Sequence, residues 1–155
     1  MSAFSASLDI DGNSKVINSN EAFRLESTWT FVENLTGNTG AHTLFTVTGN
    51  VLVTVFGVCD TNLSTGSTIE VGVANNTASL IAQVADSNSL DDGMIWVDAT
   101  PATGAETLPS PRAINDGADV ILTIGSADLT AGVVDFYCLY RPLSSDGLVT
   151  VTTPA

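Results

Sequence analysis

The chain has 155 residues, of which 44% are hydrophobic and 14% charged, and it carries a formal net charge of −13. This length predicts one domain that can bury its own core. The negative charge repels phosphate backbones and anionic lipids, so we expect neither nucleic acid nor a membrane as a partner. The sequence has no apolar run long enough to span a membrane, and its first residues lack the basic and apolar regions of a signal peptide, which predicts synthesis in a cytoplasm.

Residues 1–20 are mostly small and polar and predict an N-terminal arm with one short strand over residues 15–18. Such an arm is either loosely ordered or laid against a partner. Residues 21–155 are then predicted to form a single β-sandwich domain. The apolar side chains of the arm are few, namely Phe4, Leu8, Ile10, Val16 and Ile17.

The first strand of the domain is predicted over residues 21–33, where two sets of side chains alternate with the period of two that a pleated strand imposes. A helix over the first half was the alternative, but the β-branched and aromatic residues of the second half favour a strand. One face of this strand carries Phe23, Leu25, Ser27, Trp29 and Phe31.

Further strands are predicted over residues 43–48, 51–59, 68–74 and 80–84, with turn-forming residues between them. The segment 51–58 is apolar on both faces, which is typical of a central strand. A short strand over 94–97, a brief pairing at 113–114 and a last strand over 148–152 complete the set. Between these strands lie an acidic loop over 86–93 and a long excursion over 98–111 with three prolines, which we expect to make contacts.

The segment 119–142 is predicted to be the central hairpin, with a turn over residues 126–132. Its two strands alternate, and each has an apolar face. The segments 71–81 and 124–134 align without gaps and share four residues, which predicts two hairpins with similar turns. The two apolar faces consist of Val120, Leu122 and Ile124 in one strand and of Val134, Phe136, Cys138 and Tyr140 in the other.

These eight to ten short strands, with no helix, predict an all-β fold. Two stacked sheets of the jelly-roll kind are the first choice, and an immunoglobulin-like sandwich is the alternative.

Catalytic chemistry has few candidates in this sequence. The one histidine, His42, would have to serve any Ser–His–Asp arrangement, and we expect it to be a surface or strand-edge residue instead. Acids cluster at Asp91 and Asp92 and around Asp116 and Asp119, but nothing selects a pair set across a cleft, as glycoside hydrolysis requires. We predict no catalytic residues, and solvated loop acids at these positions.

Calcium binding is considered for residues 9–20, where Asp9, Asp11 and Asn13 follow the alternation of oxygen ligands that begins an EF-hand loop. The match then ends, because Ser14 replaces the required glycine and Asn20 the bidentate glutamate. The pattern at residues 86–88 fails in the same way. We therefore predict ordinary turn chemistry at both places and no metal or cofactor site.

Cys59 and Cys138 each lie inside an apolar strand and are predicted to be buried thiols, with a disulfide left open as the alternative. Two cysteines and one histidine are too few for a convincing zinc site. The glycosylation sequons at Asn34 and Asn62 mean little without a secretory signal. Four aromatic residues have the chemistry to stack on sugars, but in a sandwich we expect them in the core or in an interface: Trp29, Trp96, Tyr137 and Tyr140.

Two stretches resemble segments of small β-rich proteins encoded among the virion genes of tailed bacteriophages. They are Gly93–Pro101, GMIWVDATP, and Ile121–Gly147, ILTIGSADLTAGVVDFYCLYRPLSSDG. The resemblance covers roughly residues 49–149 and contains no catalytic motif.

The resemblance implies a structural component of a phage particle, and most specifically a capsid decoration (cement) protein without enzymatic activity. Decoration proteins are often small β-sandwiches that assemble as trimers and clamp neighbouring capsid subunits. The implied partners are the major capsid protein and further copies of the chain in a homotrimer, on the outer capsid surface of the virion. The alternative is a receptor- or glycan-binding module of a head or tail fibre. The sequence has no collagen-like or coiled-coil shaft repeat, which favours decoration.

Overall fold

The computed structural model describes residues 23–153. The predicted arm, its short strand and the pattern of Asp9, Asp11 and Asn13 therefore lie outside the described residues. Within that range there are ten strands and no α-helix, and one short 3-10 turn covers Ser87–Ser89. The strands are β1 (Phe23–Thr30), β2 (Gly40–Thr48), β3 (Val51–Thr61), β4 (Thr68–Val73), β5 (Asn76–Val84), β6 (Ile95–Trp96), β7 (Arg112–Ile114), β8 (Val120–Gly125), β9 (Val133–Pro142) and β10 (Leu148–Val151).

The strands form two antiparallel sheets that pack face to face. The first sheet has the order β1-β9-β3-β6, with β7 also paired to β3, and the second has the order β10-β2-β8-β4-β5. The chain changes sheet at every connection except the β4–β5 hairpin and the step from β6 to β7. This order is that of a jelly roll, in which β6 and β7 share one strand position and β10 is an additional edge strand. The predicted all-β sandwich of the jelly-roll kind is therefore confirmed.

The predicted central hairpin is wrong. β8 pairs with β2 and β4 in the second sheet, whereas β9 pairs with β1 and β3 in the first. The connection over residues 126–132 crosses the gap between the sheets, which is about 10 Å wide in sandwiches, and its Leu129 is fully buried. Alternation decides which face of a strand is buried but not which strand lies beside it, and two such strands can pack face to face across a core as well as edge to edge. The matching segment 71–81 does form a hairpin, β4–β5.

The core lies between the sheets and is built from the predicted inward faces. Every second residue of β8 and β9 is buried, from Val120 to Ile124 and from Val134 to Tyr140. The largest fully buried side chains include Trp96, Phe45 and Phe136. The strand predicted over 68–74 is also oriented as expected, because Ile69 and Val71 are buried.

Hydrogen bonds tie the segments between strands to the sheets. The Val47 N–H donates to Asp119 Oδ1 over 2.9 Å, which ties the start of β8 to β2. The predicted excursion over 98–111 has no strand of its own, and its one bridge joins Ala102 to Ile95.

Candidate interaction surface

The outward side of the first sheet carries an apolar patch. Pleating sends alternate residues of β3 and β9 inward to the core, and the residues between them point away from the second sheet. On most sandwich sheets these positions are polar. Here they form what we call the outer patch, whose members are Leu52, Phe56, Val58, Tyr137 and Leu139, all partly exposed. No described residue packs a further layer over it.

The outer patch is continuous because the strand register brings its residues together. Phe56 lies opposite Tyr137, Thr54 opposite Leu139, and Leu52 opposite Arg141. The Phe56 and Tyr137 rings stack, with their centroids 5.2 Å apart and their planes at 19°. Neighbours opposite each other on one sheet face interact directly, so the patch is one surface instead of scattered side chains.

Tyr137 is held in place from both sides. The Arg24 guanidinium carbon lies 5.0 Å from the centroid of the Tyr137 ring. Arg24 is in β1 and Phe56 in β3, the two strands that flank β9. The same guanidinium binds Glu26, with 2.8 Å between Nη2 and Oε2, and the Tyr137 hydroxyl lies 3.5 Å from Glu26 Oε1. Side chains fixed in this way lose little conformational entropy when a partner covers them.

The outer patch is close to neutral in a strongly acidic chain. All three arginines belong to strands of the first sheet, Arg24 in β1, Arg112 in β7 and Arg141 in β9. Beside the patch, Arg24 and Arg141 offset Glu26 and Asp135, and one further acid, Asp60, is exposed near the end of β3. The second sheet differs, because its outward side is rich in threonine, as at Thr46 and Thr150. Burying a neutral apolar face requires no uncompensated charge to leave water.

The long excursion reaches the edge of the outer patch. A groove of about 130 Å³ lies between Pro111, the last residue of the excursion, and the patch residues Leu52 and Leu139. Leu108 of the excursion is 41% exposed. The excursion over 98–111, which the sequence predicts to make contacts, therefore borders the outer patch. The patch itself was not predicted from the sequence.

The residues considered as catalytic or metal-binding candidates make local contacts within the fold. His42 is half-buried, and its Nε2 lies 2.7 Å from the carbonyl oxygen of Asn38. Its ring and that of Trp29 form a T-shaped pair, with 5.8 Å between the centroids. Asp91 and Asp92 are exposed, and the Asp92 N–H donates to Asn62 Oδ1 over 2.7 Å. Within residues 23–153, no group of three or more histidine, cysteine, aspartate or glutamate side chains is arranged to hold a metal ion.

The two acidic loops are held by hydrogen bonds, one within its own loop and the other to neighbouring segments. Asp86 Oδ1 accepts from the Asn88 N–H over 3.0 Å and caps the 3-10 turn, which is the turn chemistry predicted there. The Asp116 N–H donates to Asn50 Oδ1 over 3.1 Å, in a left-handed turn in which Asp116 has φ 54°. Asp119, as described above, binds the β2 backbone. The structure does not bring Asp116 and Asp119 together with Asp91 and Asp92 as one set.

Both cysteines are buried and free, as the first interpretation predicts. Burial raises the pKa of the Cys59 thiol to about 11, with Asp92, Asp91 and Asp60 adding to the rise against a hydrogen bond to Thr61. Burial alone raises the pKa of the Cys138 thiol to about 12. A thiol with such a pKa carries almost no thiolate at neutral pH and is a poor nucleophile.

The aromatic candidates divide between core and surface. Trp29 is 3%, Trp96 0% and Tyr140 6% exposed, so these three belong to the core. Tyr137 lies in the outer patch. The sequence contained a signal for the patch in the segment 51–58, which is apolar on both faces. We predicted a central strand there, and β3 is central in its sheet, but its second apolar face has no described layer over it.

The fold defines the chain as an all-β protein of the jelly-roll class. No protein-family model matches it, and no curated protein matches it. Among solved structures it is similar to a chain in the acidic stable capsid structure of Helicobacter pylori bacteriophage KHP30, with a TM-score of 0.49 and 14% identity. The alignment covers 85% of this chain and 96% of that chain. A likeness of this size does not assign a role. No described helix has the length and apolar character needed to cross a membrane.

Proposed function

We propose that the chain is a structural protein of a phage virion, and most specifically a capsid decoration protein without enzymatic activity. The observation that carries the proposal is the outer patch, a neutral apolar sheet face on a chain with a net charge of −13. Exposed apolar patches of this kind mark surfaces that bind other proteins. The resemblance to virion proteins of tailed phages over Gly93–Pro101 and Ile121–Gly147 supports a phage particle as the assembly to which the patch binds. The second stretch contains Tyr137 and Leu139 of the patch.

The proposed mechanism is attachment of the outer patch to the capsid lattice. Full burial of an apolar side chain contributes about 1.5–3 kcal/mol relative to full exposure, and the patch residues are already partly covered, so each adds less. A single contact of this size is weak. Many copies on a shell, each bridging neighbouring subunits of the major capsid protein, stabilise it by multivalency. The proposal includes self-association as a homotrimer, with the 98–111 excursion and the N-terminal arm touching neighbours.

The acidic remainder of the surface fits a place on the outside of the head. Packaged DNA would repel a chain of this charge, whereas the outer capsid surface does not expose it to phosphate. We therefore place the protein on the outer capsid surface of the virion.

Particles stripped of this protein test the proposal. The stability of stripped heads to heat and to low salt is compared with that of native heads, and then with stripped heads to which the purified chain has been added back. We expect stripped heads to open at lower temperature and the added chain to restore the native value. Unchanged stability after complete removal would show that the cement role is wrong.

The alternative, a glycan- or receptor-binding module of a fibre, requires an aromatic ring whose face is free to stack on a sugar. The ring of Tyr137 is flanked by Phe56 and by the guanidinium of Arg24, and Trp29 and Trp96 are in the core. These contacts favour decoration over glycan binding.

A further inference from the structure

The open side of the sandwich contains a groove of about 430 Å³ between the β4–β5 hairpin and β7 with its following loop. Its floor is apolar, with Leu80, Ile114 and Ala118 among the lining residues, all of them part of the core or packed against it. Its rim is polar and includes Asn76 and Arg112. The groove lies apart from the outer patch, on the side where the two sheets end.

Both sheets present an unpaired strand edge at this groove. β5 is the last strand of the second sheet, and β7 pairs only with β3 among residues 23–153. An unpaired edge leaves backbone N–H and C=O groups without partners, and an extended segment can add to it as a further strand. The groove therefore has the backbone groups and the apolar floor that an added strand uses.

Arg112 gives the groove a positive charge. It lies opposite Val53 in the register, and because Val53 faces the core, Arg112 projects to the same side and lines the groove. No described carboxylate lies within ion-pair distance of its guanidinium. An extended segment that alternates apolar and acidic residues would cover the floor with its apolar face, and its net negative charge would favour a position near this arginine.

The chain contains such a segment outside the described residues, at residues 7–12, Ser-Leu-Asp-Ile-Asp-Gly. In an extended conformation Leu8 and Ile10 point one way and Asp9 and Asp11 the other. We infer that residues 7–12 dock in the groove of their own chain as an added strand, with Leu8 and Ile10 on the apolar floor and the aspartates on the opposite face, toward solvent. This docking does not depend on the proposed virion role, and it concerns residues 7–12 alone, so contacts to neighbours would come from the rest of the arm.

The geometry allows the arm to reach its own groove. Phe23 lies opposite Tyr140, Tyr140 opposite Val53, and Val53 opposite Arg112. The row crosses three strand spacings, which is about 14 Å. β1 and β3 both run antiparallel to β9, so they begin at the same end of the sheet. β7 runs antiparallel to β3 and therefore ends there. The ten residues 13–22 between the segment and Phe23 span up to about 33 Å when extended.

Hydrogen exchange of the full-length chain tests the docking. Leu8→Ser with Ile10→Ser removes the apolar face of the segment, and Val16→Ser with Ile17→Ser makes a matched change elsewhere in the arm. We expect the first variant to lower the protection of edge amides in β5 and β7 by about tenfold, because each buried apolar side chain accounts for roughly that factor or more. The second should leave it unchanged. Equal protection in both variants, or an equal loss in both, would overturn the inference.

A disulfide cross-link identifies which chain supplies the arm. Ile10→Cys combined with Ser79→Cys, on the groove lining, should oxidise to a bond within one chain, whereas Ile17→Cys with Ser79→Cys should not. The native Cys59 and Cys138 are buried and stay reduced. A bond that joins two chains, or equal bonding in both double variants, would contradict docking in the chain's own groove.

Discussion

Two adjacent residues of β9 should differ sharply in their effect on folding, because one faces the core and the other the outer patch. Phe136 is 0% exposed and meets Trp96 edge to face, with 5.9 Å between the ring centroids. Phe136→Ala removes this ring and leaves a cavity, which should lower the free energy of unfolding by about 3–5 kcal/mol. Tyr137→Ala loses a stacked pair and a cation–π contact, which should cost about 1–2 kcal/mol.

The assay is urea unfolding of both variants and of the parent chain, followed by fluorescence and by circular dichroism. The expected difference between the variants is about 1–4 kcal/mol, a substantial share of the total stability of a domain this size. The denaturant dependence should stay the same in both, which would show that only stability has changed. If Tyr137→Ala costs as much as Phe136→Ala, the outward side of the first sheet is part of a core and the outer patch does not exist.

Two further predictions concern titration and backbone packing. Because burial raises the thiol pKa of Cys59 to about 11 and of Cys138 to about 12, the stability they contribute is full below the ordinary thiol pKa and is lost as pH rises above it. Chemical unfolding should show a fall of about 1.4 kcal/mol per pH unit for each thiol, from pH 9 to about 11 for Cys59 and to about 12 for Cys138; a double alanine variant that keeps the same fall would contradict this. Gly37→Ala should destabilise by about 1–3 kcal/mol, since a Cβ there would lie 2.0 Å from the Leu129 carbonyl oxygen. Gly66→Ala, whose Cβ would meet nothing closer than 3.6 Å, is its control in thermal unfolding, and equal effects would refute the packing argument.

The strands and their buried faces could be predicted because alternation is a local property of the sequence. The inward residues of β8 and β9 follow directly from the period of two, and so do the positions of β4 and β10. The neighbours of a strand are a different matter, since they depend on contacts far away in sequence. The segment 126–132 has turn-forming residues whether it closes a hairpin or crosses between sheets, so the pairing of β8 with β2 and β4 could not be predicted from it.

The candidate surface was encoded in the sequence but ambiguous there. A strand that is apolar on both faces, as β3 is, can be covered by a second layer of the same chain or by a partner, and the two cases have the same pattern. Tyr137 and Leu139 were equally ambiguous, because their strand also has a fully buried face. The structure distinguishes the cases by placing β3 beside β9 with Phe56 stacked on Tyr137 and no described layer above them. His42, which the sequence predicts to be a surface or strand-edge residue, lies half-buried in β2.

The most direct test of the outer patch as the docking surface is rebinding of single variants to stripped particles. Leu139→Glu places a charge in the patch, and Thr150→Glu places the same charge on the outward side of the second sheet, where it is exposed. Both variants should fold like the parent. We predict that Leu139→Glu rebinds at least about tenfold more weakly, because a carboxylate would have to leave water when the patch is covered, while Thr150→Glu rebinds like the parent. Equal rebinding of the two variants would contradict the account.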